Sequence, residues 1–172
     1  MLKKLTPYQR SSIIYALTIV AGILLDQITK ILASNFLKPI YDVPLIKDVF
    51  HLTYTENRGA AFGMLSENRW VFMTFSSVMI IAMCVYLFFP KKNPRPLFGI
   101  AMAIVISGGI GNMIDRIASG FVVDFLYFKL INFAIFNVAD VFVCVGAGLM
   151  VLDVICEIAQ EAKKEKAKKN DL

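Results

Sequence analysis

Two acids stand in the stretch VVDFLYFKLINFAIFNVADVF, residues 122–142, which is otherwise nearly all apolar: Asp124 and Asp140. An ionisable group among apolar side chains is expensive, and within a greasy run it marks a functional site by default. Two carboxyl groups held close in a low-dielectric setting do not both ionise cheaply, so one keeps its proton while the other is charged. A single pH then supplies an acid and a base. The charged member can take a proton from a water attacking a carbonyl, and the protonated member can donate to the carbonyl oxygen. Peptide hydrolysis needs both roles, and neither acid is bound permanently to one of them.

Whether the two acids meet depends on the elements around them. DFLYF and FAIFN flank KLIN, which predicts a hairpin with a four-residue loop pairing Phe128 with Phe133. In that register Asp124 lies across from Asn137, with Cβ atoms about 4.5–5.5 Å apart. A helix beginning at Asn137 puts Asp140 three residues on, on the same face and roughly 5–6 Å away. A plainer reading stands beside this one. Asn137 and Asp140 also fit a helix-capping pair, with the acid suiting the positive end of the helix dipole, and Asp124 fits a loop acid at the water interface.

The wider chain reads as a membrane protein. Of its 172 residues 58% are hydrophobic, and the mean hydropathy is +0.66, above the range of a soluble domain. Apolar runs cover Ile13 to Leu25, Trp70 to Phe89, Leu97 to Ile110 and Phe136 to Ile155. A bilayer core needs about 20 helical residues, so only the second run is a full, uninterrupted span. The first must continue through Asp26, Gln27 and Lys30, and the third through Asn112, Asp115 and Arg116; the fourth carries Asn137 and Asp140 near its start. Helices that alternate up and down bring all these polar residues to one end. Basic residues collect at the other end: Lys3, Lys4 and Arg10, then Lys91, Lys92 and Arg95, then Lys163, Lys164, Lys166, Lys168 and Lys169. The positive-inside rule puts both termini in the cytoplasm and the polar end outside. This topology accounts for the net charge of +5 without nucleic acid, and the C-terminal AKKEKAKK reads as a solvated or lipid-facing tail.

A retained first helix fits better than a cleaved signal peptide, because Asp26 and Lys30 follow the apolar core where small residues would mark a cleavage site. Between the first two spans, residues 33–69 form an outer segment with a strand from Val49 to Thr55, and Gly59 and Gly63 allow a turn into a short helix. The prolines of FPKKNPRPL forbid a continuing helix and mark a turn. Cys84, Cys144 and Cys156 lack metal-site spacing and read as small apolar fillers, and His51, alone, is a poor zinc ligand or triad base. Gly108, Gly109 and Gly111 let a helix or a substrate backbone come close to the third span. Asp26 and Lys30 read as an i,i+4 ion pair worth a few tenths of a kcal/mol. Arg116, one turn beyond Asn112, could hold a carbonyl or lipid ester, though snorkelling to headgroups explains it as well.

DQITK at 26–30, ENRGAAFG at 56–63, GGIGNMIDR at 108–116, VVDF at 122–125 and FNVAD at 136–140 together resemble the lipoprotein signal peptidase (signal peptidase II) family, in the family's order over about residues 12 to 155. The motif at 108–116 is not the GxGD pattern of presenilin-type intramembrane proteases, since Asn112 stands where that aspartate would be. The resemblance implies an all-α bacterial membrane protein of four transmembrane helices with a small extracytoplasmic β element and a short outer helix. It implies one peptidase domain over residues 1–160, an outer insertion at about 37–68, and a basic cytoplasmic tail at 161–172. It implies an aspartyl peptidase of the plasma membrane that cuts prolipoproteins just before a diacylglyceryl-modified cysteine, without metal or cofactor, acting as a monomer among membrane lipids. The family's dyad falls on Asp124 and Asp140. Asn57 and Gly59 match positions that close over substrate; Gly108, Asn112, Asp115, Arg116 and Asn137 match substrate-contacting or site-supporting positions; Asp26 and Lys30 match its first motif and are taken as structural. Val141 and the long basic tail depart from many relatives without touching the chemistry. A different class of function, a small proton-coupled transporter relaying protons through Asp26, Asp115, Asp124 and Asp140, requires acids distributed through the membrane, whereas these gather at one end.

Overall fold

A computed structural model describes residues 5–59, 69–89 and 95–170. Helix α1 (Pro7–Leu32) begins where Thr6 and Gln9 cap each other reciprocally, with Pro7 in the first turn, where its missing N–H costs nothing. It runs on through Asp26, Gln27 and Lys30 into a π-helical turn, Ala33–Leu37. Helices α2 (Arg69–Phe88), α3 (Pro96–Ala118) and α4 (Val138–Asn170) complete the helical part. Among the described residues three helical stretches are long and apolar enough to cross a membrane: Pro7–Leu37, Pro96–Ala118 and Val138–Ala167. The run at Trp70–Phe89, which the sequence marks as the fullest span, supplies a shorter apolar stretch, Met73–Phe88. The other three gain their length by continuing through polar residues that find partners inside the bundle. Helix α4 likewise carries straight through the basic segment to Asn170.

Helix α3 is the centre of the bundle and packs against α1, α2 and α4. Half of its apolar window is buried, because small residues line it: Gly99, Ala101, Ala103, Ser107, Gly108 and Gly111 are all buried. Small side chains let helix axes approach closely where no hydrophobic force drives association. Tyr15, Leu87, Met102 and Ile106 fill the core around it. Large apolar side chains such as Leu17, Leu24, Val85 and Val151 lie outside, as a lipid-facing surface requires.

At one end of the bundle sits an antiparallel sheet in the order β1 (Asp42–Ile46), β2 (Phe50–Asn57), β3 (Val122–Phe128). Pro44 occupies the edge strand β1, where a missing donor is tolerated. The expected strand at Val49–Thr55 is β2, displaced to Phe50–Asn57 because its end pairs with β3, Asn57 against Val122 and Thr55 against Asp124. The expected hairpin is only half formed. Phe133 N donates to Phe128 O at 3.1 Å, as the KLIN loop requires, but Leu126 then pairs with Phe136, one residue off the expected register. Phe125 and Leu126 both donate to Phe136 O, at 3.0 and 2.8 Å. That is a bulge in β3, and it absorbs the extra residue. The main partner of β3 is β2 rather than the segment that follows it. The short outer helix expected after Gly59 and most of the FPKKNPRPL turn lie outside the described residues.

Candidate active site

Each acid is held by the element that carries it. In β3 the sheet buries both faces: Val123 and Phe125 pack with Ala33, Leu37 and Tyr54, while Asp124, 2% exposed, faces away. Helix α4 begins just after Asn137, so Asp140 lies in its first turn. Asn137 Oδ1 accepts from Asp140 N at 3.1 Å, and Asp140 Oδ2 accepts from Asn137 N at 3.1 Å. The capping pair is therefore real, and it does not exclude the other reading. Asn137 Nδ2 also donates to Asp124 Oδ1 at 2.6 Å. One fully buried asparagine thus touches both carboxyl groups, and both line a single cavity of about 660 Å³.

Further amides complete the ring. Asn57 Nδ2 donates to Asp124 Oδ2 at 3.0 Å, and Asn57 Oδ1 accepts from Gly59 N at 3.0 Å. Asn112 Nδ2 donates to Asp140 Oδ1 at 2.8 Å. Arg116 donates to Asn112 O and to Gly59 O, each at 3.1 Å, tying the end of α3 to the chain leaving β2. The guanidinium thus binds backbone carbonyls instead of reaching for headgroups. Burial pushes the Asp124 carboxyl up to about 6; the Asn57 amide opposes this, and the charge of Asp140 adds to it. Most of the remaining cavity wall is apolar, with Met79, Ile80 and Met83 from α2, Val105 from α3 and Val145 from α4.

Behind Asp140 lies a second polar cluster. Asp26 and Lys30 are 0% and 3% exposed and 2.9 Å apart, so their pair is a buried one, not the helix-surface pair that i,i+4 spacing suggests. Lys30 Nζ also sits 2.9 Å from Asp115 Oδ2 and donates to Asn112 Oδ1 at 2.8 Å. Gly111 has no room for more: a Cβ there would lie 3.0 Å from Asp26 Cγ. At Gly108 a Cβ would crowd the Ala139 carbonyl carbon at 3.2 Å, so this glycine sets the approach of α4.

Gln27, inside DQITK, received no role from the sequence. Its amide joins Asp26, Gly111 O and Asp115 at 3.0–3.2 Å. The available signal was the cost of a polar amide in an apolar helix. His51 is not alone either: its Nδ1 lies 2.9 Å from Asp42 Oδ2. The Thr53 hydroxyl, and then His51, hold the Asp42 carboxyl below the usual range. Among the described residues the hydroxyl bonded to this His–Asp pair is that of Thr53, and it donates to the carboxylate, not to the imidazole.

The family model for signal peptidase (SPase) II matches residues 18–156. The chain belongs to the signal peptidase II family. It is therefore a peptidase of that family, and the transporter alternative finds no support. A lipoprotein signal peptidase of Brevibacillus brevis is 45% identical over 144 residues, 83% of this chain and 95% of that protein. One of Clostridioides difficile is 43% identical over 143 residues, with the same coverage of 83% and 95%. A solved bacterial membrane enzyme superposes with a TM-score of 0.77 at 28% identity, covering 85% of this chain and 90% of that one. Membership in a membrane peptidase family and the apolar helices together make this a bacterial membrane protein.

Proposed function

We propose that this signal peptidase II releases signal peptides from diacylglyceryl-modified prolipoproteins, with Asp124 and Asp140 as the dyad that activates water. The observation that carries this is Asn137, whose side chain and backbone touch both carboxyl groups at the wall of one cavity. Burial raises the Asp124 carboxyl to about 6, which suits it to carry a proton. In the reaction Asp140 takes a proton from the attacking water, while Asp124 donates to the carbonyl oxygen; the roles reverse as the amine leaves. Asn112, Arg116 and Asn137 hold the acids and the substrate backbone, Asp115 and Gly108 support them, and Asn57 and Gly59 close the site from the outer side. The apolar wall takes the lipidated segment from the bilayer. Helix α2 forms a fourth span, both termini lie in the cytoplasm with the sheet outside, and the enzyme works as a monomer.

Asp124→Asn and Asp140→Asn test this on a lipidated precursor in membranes. Each should lose on the order of 10²–10⁴-fold in turnover while the protein stays folded; near-normal turnover in both overturns the dyad. A precursor without its diacylglyceryl group should be cut poorly, and equal rates on both forms would remove the lipid specificity.

A further inference from the structure

Lys30 is 3% exposed and lies in α1, away from the wall of the cavity. Its ammonium donates to Asn112 Oδ1 at 2.8 Å. That oxygen also accepts from Asn137 Nδ2 at 3.1 Å. An amide has one oxygen and one NH2. With two donors fixed on the oxygen side, the NH2 of Asn112 is left facing Asp140 Oδ1, at 2.8 Å. Rotating this amide by half a turn would set its NH2 against the ammonium and its oxygen against the carboxylate. Charged partners make the wrong orientation more costly than between neutral groups. We infer that Lys30 is a positioning residue for the dyad: its ammonium fixes the amide orientation of Asn112 and so presents a donor, rather than an acceptor, to Asp140.

The surroundings fit that task. Asp26 and Asp115 flank the ammonium at 2.9 Å each, which holds it in place. Asp26 Oδ1 accepts from Ala139 N at 3.0 Å, binding the same α1 segment to the first turn of α4, next to Asp140. Asn137 donates to Asn112 but also to Asp124, so the neutral amide alone has divided duties. This inference rests on the dyad reading. An active Asp140→Asn enzyme would take that reading away, whereas an active Lys30 variant would remove this inference and leave the dyad standing.

The test is Lys30→Met combined with Asp26→Asn, compared with Asp26→Asn alone, so that removing Lys30 does not strand Asp26 as a buried charge and an acceptor for Ala139 N is kept. In purified protein of matched folded fraction, the pair should turn over lipidated precursor at least tenfold more slowly than the single variant, with KM within twofold. The acid limb of its pH–rate profile should move to higher pH, because an oxygen turned toward a carboxylate favours the protonated form. Equal kcat and an unmoved profile would overturn the inference, since a merely structural lysine changes only the yield of folded enzyme. Lys30→Met with Asp115→Asn, referred to Asp115→Asn alone, makes the same comparison should the first pair not fold. A loss of kcat with a shifted profile supports the inference, and an unchanged kcat overturns it.

Discussion

Asp124 is the residue where burial and chemistry conflict most. Its carboxyl rises from an ordinary 3.8 to about 6 because the sheet buries it, although Asn57 and Asn137 both donate to it. In the proposed mechanism it must carry the proton, so turnover should fall as pH climbs through about 6 and above; a rate that keeps rising to pH 9 would contradict the assignment. The same residue affects stability. Between pH 4 and 6 the folded state holds a proton that the unfolded chain has already lost, so stability falls with rising pH across that window, by on the order of 3 kcal/mol in all. Thermal unfolding of the wild type should therefore lose ground to Asp124→Asn over pH 4–6 and run parallel to it above. Asn57→Leu removes one donor from Asp124 and should move the alkaline limb of the rate profile upward, which a pH series on the variant would show.

At the scale of elements, the start of α4 does two jobs. Asn137 caps the helix and joins the acids. A lost cap costs about 0.5–2 kcal/mol, so Asn137→Ala should lower the melting temperature by a few degrees while turnover falls far more than that loss explains. A match between the two losses would reduce Asn137 to a cap. The contact of α3 with α4 depends on Gly108, where a side chain meets the Ala139 backbone. Gly108→Val should push α4 outward and lower both stability and activity, measured as unfolding temperature and cleavage of a lipidated precursor. The hairpin shows where element-level reading fails. Antiparallel arithmetic brought Asp124 near Asn137; the register slips by one residue at Leu126 and Phe136, the bulge at Phe125 and Leu126 takes up the slip, and the contact is made by the Asn137 side chain. Bulges depend on what a strand packs against, and here that is β2, whose partnership with β3 nothing local in the sequence announces.

At the scale of the whole molecule, the two ends of the bundle are built differently. One end holds the acids, the amides and the sheet. At the other, Arg95 pairs with Asp153 and Glu157 of α4 and lies over the Phe98 ring, clasping the start of α3 to α4. Arg95→Ala should lower the unfolding temperature in detergent without changing kcat, because it stands at the end away from the acids; a changed kcat would mean that the two ends communicate.

Composition and the spacing of apolar runs by themselves determined a membrane-bound helical bundle, and the polar residues interrupting those runs indicated that the polar groups gather at one end. Asp124 and Asp140 stood out because an ionisable group in an apolar segment is costly, whereas Asn112 and Asn137 stood out through the resemblance of their motifs to the family's. Tertiary structure alone decided that Lys30 serves Asn112, that Gln27 joins the same cluster, that His51 has an acid beside it, and that β3 pairs with β2. The physical reason is that a hydrogen bond is set by positions within about 3 Å, and residues more than 80 positions apart, such as Lys30 and Asn112, reach that range only when the helices between them have packed.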